Sequence, residues 1–338
     1  MKRIVTIGGG TGSFTLLSGL KTYPFEITAI VTMADDGGST GVLRDEMGVL
    51  PPGDVRQCLV ALSDSSQTLR ALMNYRFENG GLSGHSFGNL MLGALEKITG
   101  NFTRAVAEAT HILSVRGHVV PVSESDMRLR ITLRDGTVVD GESHLDDNAQ
   151  VRSIGIADVA LSSRVRVNPA ARDAIADANV VVIGPGDHFG SIIPNLLVRG
   201  VSRAIKQTSA SVVFVAPLTN KRGHTEGFAV EDYIRELERY IGRGRIDYVI
   251  YNTQSVPPRI LARYEEQEGK NSLVRIRDMQ ADRTFRIVQG DLLNTQTVRV
   301  SARDRIAATR SFIRHDPDAL ARAVALIAYQ GEHGMEII

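Results

Sequence analysis

The chain has 338 residues, of which 43% are hydrophobic and 23% are charged, a composition typical of a globular protein that buries a sizeable core. Its 39 Lys and Arg residues against 38 Asp and Glu leave a formal net charge of +1, so no overall electrostatic attraction to nucleic acid is expected. The single cysteine, Cys58, excludes an internal disulfide framework and thiol-rich metal sites. The chain shows neither a leader-like segment nor an apolar stretch of about 18 residues, and we expect a cytoplasmic protein without a membrane span.

The first predicted unit is a strand that ends in a glycine-rich turn and leads into a helix. Residues 2–7 contain the β-branched, mainly apolar run Ile4 to Ile7, and helical spacing of apolar residues starts at Phe14. Glycines let a ligand approach the backbone closely, and the free N–H groups of a helix's first turn can bind phosphate. The candidate phosphate-binding residues are Gly9, Gly10, Thr11, Gly12 and Ser13.

This turn matches the named phosphate-binding motifs only in part. The dinucleotide motif has Gly or Ala where Ser13 falls, and the phosphate loop of NTPases requires a lysine that the turn lacks. The alternative interpretation is a tight structural connection between a strand and a helix. Both interpretations stay open on the turn alone.

The second predicted strand, residues 26–32, also ends in a turn that is expected to face a ligand. One helix joins it to the first strand, so the two strands should be parallel with a right-handed crossover. In dinucleotide folds, an acidic residue about 20 positions after the glycines binds ribose hydroxyls. The adjacent residues Asp35 and Asp36 lie near that position in the sequence. The pair could equally hold Mg²⁺ bridged to phosphate, or shape the turn before a helix predicted over residues 42–47. The candidate residues of this turn are Asp35, Asp36, Gly37, Gly38 and Ser39.

Two further polar residues stand at predicted helix starts. Asp54 follows two prolines and a glycine and is placed to cap a helix that continues through Leu62, and it is also a candidate ligand-binding residue. Asn89 starts a helix that runs to Ile98, where its amide can contact a base or a sugar or serve the helix itself. None of the eight histidines forms an HxxH, HxxxH or HxH pair, so a catalytic metal site built on histidine is not expected.

The middle of the chain predicts a small antiparallel insertion, after which the parallel pattern resumes. Residues 128–140 alternate around an Asp-Gly pair, which is typical of a β-hairpin, and we place the insertion at about 119–156. Strands are predicted at 178–183, 211–215 and 246–251. Because ligands of open α/β sheets lie beyond the carboxyl ends of the strands, Gly186 and Asn195 join the candidate ligand-binding residues. Arg314, before a helix predicted at 318–328, can reach phosphate from the opposite side.

Six motifs of the sequence occur together and in one order. They are the Gly8 to Ser13 turn, Asp35-Asp36-Gly37-Gly38-Ser39-Thr40-Gly41, Leu50-Pro51-Pro52-Gly53-Asp54-Val55-Arg56, Gly88-Asn89-Leu90, Gly184-Pro185-Gly186 with Pro194-Asn195-Leu196-Leu197, and Ile313-Arg314-His315-Asp316. Together they resemble the gluconeogenesis factor family (YvcK-like), within the superfamily that also contains 2-phospho-L-lactate transferase (CofD). The resemblance covers essentially the whole chain.

The resemblance implies a fold, a ligand and a role. The expected fold is a Rossmann-like three-layer α/β/α arrangement with a mainly parallel sheet, formed by one CofD-like domain over residues 1–338 with a C-terminal helical end at about 303–332. The expected ligand is a UDP-sugar such as UDP-N-acetylglucosamine. The implied role is that of a cytoplasmic regulatory protein linked to growth on gluconeogenic carbon, cell-wall synthesis and cell shape, with a homodimer and a protein partner as further expectations.

The chain departs from the family pattern in two segments. The family continues Gly-Pro-Gly with Ser-Leu-Tyr-Thr-Ser, whereas this chain has Asp187-His188-Phe189-Gly190-Ser191. The family's Met-Thr-Gln-Pro-Gly-Glu-Thr is replaced by Leu218-Thr219-Asn220-Lys221-Arg222-Gly223-His224-Thr225. Both segments follow predicted strands and are expected to face the ligand, so they bear on which sugar or base is preferred.

Two other functions stay open beside the regulatory binder. The first is a Mg²⁺-dependent transferase resembling the CofD branch, in which Asp35 or Asp36 would hold the metal and an acceptor hydroxyl would attack a phosphoryl group. The second is an NAD(P)-dependent oxidoreductase that uses the first turn for its dinucleotide. The sequence shows no recognisable hydride-transfer site, and it assigns no catalytic residue.

Overall fold

The structure is a computed structural model that describes residues 1–278, 284–294 and 312–333. Its strands are β1 (Lys2–Gly8), β2 (Phe25–Val31), β3 (His118–Pro121), β4 (Leu129–Leu133), β5 (Val138–Asp140), β6 (Ile156–Leu161), β7 (Val180–Ile183), β8 (Ser211–Val215), β9 (Tyr248–Asn252) and β10 (Arg286–Gly290). Its helices are α1 (Gly10–Leu20), α2 (Gly38–Met47), α3 (Gly53–Leu62), α4 (Gln67–Asn74), α5 (Phe87–Thr99), α6 (Phe102–Ile112), α7 (His144–Asp147), α8 (Ala149–Ile154), α9 (Pro169–Asp177), α10 (Ile193–Leu197), α11 (Val201–Gln207), α12 (Val230–Ile241), α13 (Pro258–Glu268) and α14 (Pro317–His333). Short helical turns lie at Gly80–Leu82 and, with π geometry, at His188–Ile192.

The main sheet of the described chain has seven strands in the order β10-β9-β8-β7-β1-β2-β3. Every neighbouring pair in it is parallel. Strand β1 lies inside the sheet, with β2 and then β3 on one side of it. The chain later returns to the other side of β1, where β7 pairs with it. This is the order of a doubly wound nucleotide-binding sheet, whose direction reverses between β1 and β7. The Rossmann-like fold predicted from the sequence is confirmed.

Helices cover both faces of this sheet, and the apolar strands are buried between them. The right-handed crossover that carries α1 from β1 to β2 runs opposite to the crossover that carries α11 from β7 to β8, so the two helices lie on opposite faces. On the first face α1 packs against α3 and α14, and on the second α11 packs against α9 and α12. Strand β7 is buried along its whole length, as expected for a central parallel strand.

The predicted hairpin is part of a separate three-stranded antiparallel sheet in the order β5-β4-β6. Its turn contains Gly136, and the backbone N–H of Leu133 donates to the carbonyl of Thr137 at 2.8 Å. The sheet ends at Leu161, beyond the predicted insertion at 119–156, while residues 118–121 belong to the main sheet as β3. The insertion therefore lies further along the chain than the sequence indicates, because β3 is short and its edge position carries little local signal.

Two other boundaries differ from the sequence prediction or are only partly described. Helix α2 begins at Gly38 rather than at residue 42, so the turn after β2 is shorter than predicted. Of the predicted C-terminal helical end at 303–332, residues 303–311 lie outside the described residues, residues 312–316 are not helical, and α14 starts at Pro317. Within the described ranges, no helix is both long enough and apolar enough to cross a membrane.

Candidate functional site

A cleft of about 450 Å³ lies at the carboxyl ends of β1, β2, β7 and β8, within the range of small-molecule sites. It occupies the point where the sheet reverses direction, where ligands of such folds bind. The candidate residues that line it are Gly9, Gly10, Thr11, Gly12, Asp35, Gly37, Gly38, Ser39, Asp54, Asn89, Gly186 and Arg314. Three candidates do not line it, namely Ser13, Asp36 and Asn195.

The glycine turn at residues 9–12 brings backbone to the cleft surface. Gly10 starts α1 with a φ of +62°, a conformation that favours glycine. A Cβ on Gly12 would lie 2.2 Å from the carbonyl oxygen of Pro185, so the first turn of α1 packs directly on the turn after β7. A side chain at Gly12 would therefore require one of these two turns to move.

Three helices begin at this end of the sheet. Gly10, Gly38 and Gly53 are the first residues of α1, α2 and α3, and all three line the cleft. The N-cap residues of these helices are Gly9, Gly37 and Pro52, and none of them caps its helix with a side chain. The positive ends of three helix dipoles therefore converge on one cavity, an arrangement that favours a bound anion.

The two adjacent aspartates after β2, Asp35 and Asp36, make different contacts. Asp35 lines the cleft, and its Oδ1 accepts the N–H of Gly37 at 3.0 Å. Burial raises the pKa of Asp35, although the N–H of Gly37 and the hydroxyl of Thr40 favour its charged form. The carboxylate of Asp36 instead accepts the backbone N–H groups of Glu142 at 3.2 Å and Ser143 at 2.7 Å. Asp36 thus holds the segment after β5, whose residues 142 and 143 form one wall of the cleft.

Asp54 lies against the glycine turn. A Cβ placed on Gly9 would be 2.2 Å from its Oδ2, and one placed on Gly10 would be 3.7 Å from its Oδ1. The sequence predicts Asp54 as the cap of its helix, but the N-cap is Pro52 and Asp54 lies inside the first turn of α3. The prolines start the helix earlier than the acidic residue suggests, which leaves the carboxylate facing the cleft.

Three further predicted residues are buried, and one of them, Asn195, links two segments beside the cleft. Asn195 is fully buried, and its Nδ2 donates to the carbonyls of Gly8 at 3.1 Å and Ser191 at 2.7 Å. Ser13 is 4% exposed inside α1. Asn89 is also buried but lines the cleft, where its Nδ2 donates to the Ser39 hydroxyl at 3.3 Å.

Arg56 is a cleft residue that sequence reasoning missed as a candidate. It is 7% exposed, and its Nε donates to the Asn89 Oδ1 at 2.9 Å while its Nη1 donates to the Asn74 Oδ1. The motif that follows Asp54 contains it, but a lone arginine in a helix usually reads as a surface residue. The charged residues that line the cleft are balanced, with Arg56, Arg76, Lys221 and Arg314 against Asp35, Asp54, Glu142 and Asp187.

The turns after β7 and β8 meet at the other end of the cleft. Asp187 and Lys221 form an ion pair with an Oδ2 to Nζ distance of 2.7 Å. Although burial alone would raise it, the pKa of Asp187 is held well below its usual range by the charge of Lys221. Burial lowers the pKa of His188 to about 4, so its imidazole is neutral at pH 7. The sequence marks both turns as departures from the family pattern, and the structure brings them together.

We name the two ends of the cleft by their residues. The glycine side consists of residues 9–12 with Asp35, Ser39 and Asp54. The histidine side consists of Asp187, His188, Lys221, His224 and His315.

The residue types of the glycine side fit a magnesium ion bridged to phosphate. Mg²⁺ binds one or two carboxylates together with phosphate oxygens. The carboxylates of Asp35 and Asp54 both line the cleft, Asp54 beside the glycine turn and Asp35 beside Gly53. Of the acidic pair predicted for this role, Asp36 is committed to the backbone of residues 142 and 143. Within the described residues, no group of three or more His, Cys, Asp or Glu could hold a metal ion by itself.

Comparisons with known proteins agree with this architecture. The model of the family described as 2-phospho-L-lactate transferase CofD matches residues 4–293. The gluconeogenesis factor of Halalkalibacterium halodurans is 42% identical over 275 residues, 81% of this chain and 84% of that protein. The gluconeogenesis factor of Bacillus subtilis is 38% identical over 270 residues, 79% and 84% of the two chains. A crystal structure of a UPF0052 family member from Bacillus halodurans superposes with a TM-score of 0.85 at 36% identity, covering 96% of this chain and 99% of that one.

The doubly wound sheet with its cleft at the reversal point places the chain in the Rossmann-like class of α/β proteins. Within that class, the chain belongs to the CofD family and to its gluconeogenesis factor branch, as its resemblance in sequence implies.

Proposed function

We propose that this protein binds a nucleotide sugar, UDP-N-acetylglucosamine or a close relative, in the cleft. The observation that supports this most directly is the convergence of the first turns of α1, α2 and α3 on a cavity floored by the glycine turn. A diphosphate carries concentrated negative charge and suits such a place. The cleft extends well beyond the glycine turn, so there is room for a nucleoside on one side and a sugar on the other.

The role we propose is regulatory. Membership of the gluconeogenesis factor branch supports a link to carbon metabolism, and the ligand, a cell-wall precursor, connects that link to cell-wall synthesis and cell shape. The proposal places the protein in the cytoplasm, where such nucleotides are made. It includes a homodimer and a protein partner that reads the ligand-bound state, and no nucleic acid.

The charges of the cleft bear on whether Mg²⁺ is needed. Arg56, Arg76 and Arg314 line the cavity and can offset the charge of a diphosphate beside Asp35 and Asp54. We therefore propose that binding proceeds without a metal ion. Removing divalent ions with EDTA should change the dissociation constant by less than about tenfold, or roughly 1.4 kcal/mol.

The test is a calorimetric titration of UDP-N-acetylglucosamine, repeated with NAD and supported by thermal unfolding. A ligand at a hundredfold excess over its dissociation constant should stabilise the fold by about 2.7 kcal/mol. Arg314→Gln should weaken binding at least tenfold, because it removes a cation from the cleft. Arg172→Gln, at an exposed residue that pairs with its neighbour Asp173 away from the cleft, should leave it unchanged. Binding of NAD with no response to any UDP-sugar would contradict the proposal and favour an oxidoreductase.

One observation favours a second candidate, a Mg²⁺-dependent transferase of substituted phosphate groups. The chain matches the CofD model over most of its length, and Asp35 and Asp54 would hold the ion against the phosphates. When bound, the ion would offset charge on the leaving phosphate. In the same titrations, loss of binding in EDTA together with release of UMP in the presence of Mg²⁺ and an acceptor would replace the regulatory proposal with the transferase.

A further inference from the structure

Three buried histidines line the cleft with ring nitrogens that have no hydrogen-bond partner in the described part of the chain. His188, His224 and His315 are 4%, 3% and 7% exposed. Both nitrogens of His188 lack a partner, as do Nδ1 of His224 and Nε2 of His315. The three side chains come from three separate segments, and all belong to the histidine side.

Unpartnered polar atoms in a protein interior require an explanation. A buried nitrogen that has left water without gaining a hydrogen bond destabilises the fold, and native proteins contain few of them. His224 shows the ordinary arrangement at its other nitrogen, since Nε2 lies 2.6 Å from the carbonyl oxygen of Leu145. His188 has no such contact and is instead packed edge-on against the rings of Phe189 and Tyr233. A polar ligand bound against the histidine side would supply the missing partners.

The carboxylate and the ammonium group of the histidine side offset each other's charge. The Asp187 and Lys221 side chains are each less than a quarter exposed, and their 2.7 Å contact cancels one charge against the other. The neutral imidazole of His188 offers one donor and one acceptor. A hydroxyl group can pair with either ring nitrogen, because it donates one hydrogen bond and accepts others, whereas a carboxylate only accepts.

The topology decides which part of the ligand lies here. In a doubly wound sheet the two parts of a ligand lie on either side of the reversal point, with the diphosphate at the first glycine turn. The acidic residue after β2, Asp35, is on the side where such folds hold the ribose next to that turn. Asp187 follows β7, and Lys221 follows β8, on the other side of β1. The group beyond the second phosphate therefore lies against the histidine side.

We propose that the histidine side is the sugar subsite and that it selects a neutral, hydroxyl-bearing sugar over one that carries a carboxylate. The inference rests on the proposed binding of a nucleotide sugar and adds the chemical class of the sugar. The hydrogen bonds come from His188 and its two neighbouring histidines. The Asp187 carboxylate offsets the charge of Lys221, so the pair does not attract a carboxylate on the sugar.

The first test compares UDP, UDP-glucose and UDP-glucuronate, because the last two differ only by a carboxylate in place of a CH₂OH group. With the wild-type protein, UDP-glucose should bind at least tenfold more tightly than UDP. UDP-glucuronate should bind at least tenfold more weakly than UDP-glucose. Equal affinities for the two sugars would overturn the inference, because the subsite would then not distinguish their charge.

The second test removes the charge of the Asp187 side chain while keeping its shape. Asp187→Asn keeps an oxygen that can accept the N–H of Gly190, which the native Oδ1 accepts at 2.7 Å, but it leaves the charge of Lys221 uncompensated by this residue. The affinity ratio should move at least tenfold toward UDP-glucuronate. Asp158→Asn is the matched control, since Asp158 pairs with Arg239 at the surface and does not line the cleft. An unchanged ratio in the Asp187 variant would contradict the proposal.

The third test removes the imidazole. His188→Phe keeps an aromatic ring among its aromatic neighbours, so the advantage of UDP-glucose over UDP should fall toward onefold. His188→Gln, which retains a donor and an acceptor, should recover part of it. A loss of affinity equal for UDP and UDP-glucose would place His188 at the nucleoside end and overturn the assignment. If the wild-type protein binds neither UDP nor any UDP-sugar, the proposed function fails and takes the inference with it. If UDP binds without any gain from a sugar, only the inference fails.

Discussion

The two sides of the cleft differ in the groups that they present to a ligand. The glycine side presents backbone, with helix starts and a turn in which Gly10 and Gly12 leave room for a ligand or for a neighbouring turn. The histidine side presents buried side chains, with an ion pair and three imidazoles whose hydrogen bonds are incomplete within the described chain. Backbone N–H groups recognise any phosphate in the same way, whereas side chains differ from protein to protein. For the ligand proposed above, the glycine side would supply affinity for the nucleotide and the histidine side would supply selectivity.

Acid should affect the histidine side most strongly. In the unfolded chain a histidine takes up a proton near pH 6.5, but burial lowers the pKa of His188 and His315 to about 4 in the folded protein. Between these values the unfolded state binds more protons, so stability is complete above pH 6.5 and is lost as the pH falls toward 4. Between pH 6.5 and pH 4, protonation of each of these histidines should lower the free energy of unfolding by about 3 kcal/mol.

Urea denaturation at pH 7, 6, 5 and 4 measures this loss. His188→Phe should remove about half of the pH dependence, because His315 still titrates. The two groups that act on His188 by charge are Asp187, which favours its protonation, and His224, which opposes it. Asp187 stays ionised throughout, since its pKa is held below its usual range. A free energy of unfolding that does not change between pH 7 and 4 would show that these histidines are not buried as described.

A side chain at Gly12 should damage the glycine side through the fold itself. The Cβ of Gly12→Ala would meet the carbonyl oxygen of Pro185 at 2.2 Å, and backbone on both sides has little freedom to move. We expect a loss of about 3 kcal/mol in the free energy of unfolding. Gly81→Ala is the control, because nothing lies within 4 Å of its added Cβ, and it should change stability by less than about 0.5 kcal/mol. Equal stability of the two variants would contradict the close packing of α1 on the turn after β7.

A side chain at Gly10 should separate binding from stability. Gly10 has open space around it apart from Asp54 and a φ of +62°, so Gly10→Val should fold with a strain of about 1–2 kcal/mol. It should weaken UDP binding at least a hundredfold, or about 2.7 kcal/mol, because the branched side chain enters the space of the phosphates. Gly48→Val has the same strain at a φ of +60° but does not line the cleft, so only its stability should fall. Unchanged UDP affinity in folded Gly10→Val would exclude the turn from the site.

Sequence patterns predicted the glycine side better than the histidine side, for a physical reason. A turn of several glycines between a strand and a helix is a local signal, since the conformations it needs are written in consecutive residues. A buried histidine has no such signal. The sequence analysis tested the histidines only for metal-ligand spacing along the chain and found none. Their grouping depends on the turns after β7 and β8 and the segment before α14 meeting in space.

Sequence analysis also could not predict that two adjacent aspartates have different roles. Asp35 and Asp36 are adjacent and chemically identical, yet one lines the cleft and the other holds the backbone of residues 142 and 143. Strands β3, β6 and β10 were missed because their hydrophobic patterns are short or interrupted, and pairing with neighbours decides them. Cleft residues Arg56 and Lys221 were not candidates because single cations usually lie in solvent.

By itself the sequence determined the fold class, the position of the first glycine turn, the hairpin and the family. These features depend on periodicity, turn residues and ordered motifs, all of which can be recognised in short stretches of consecutive residues. Tertiary structure alone decided which polar groups share the cleft, which carboxylate faces it and which histidines are buried without partners. Burial, close approach and charge pairing depend on distances between segments far apart in the chain. Those distances are fixed only when β7 returns beside β1 and brings the second set of turns to the first.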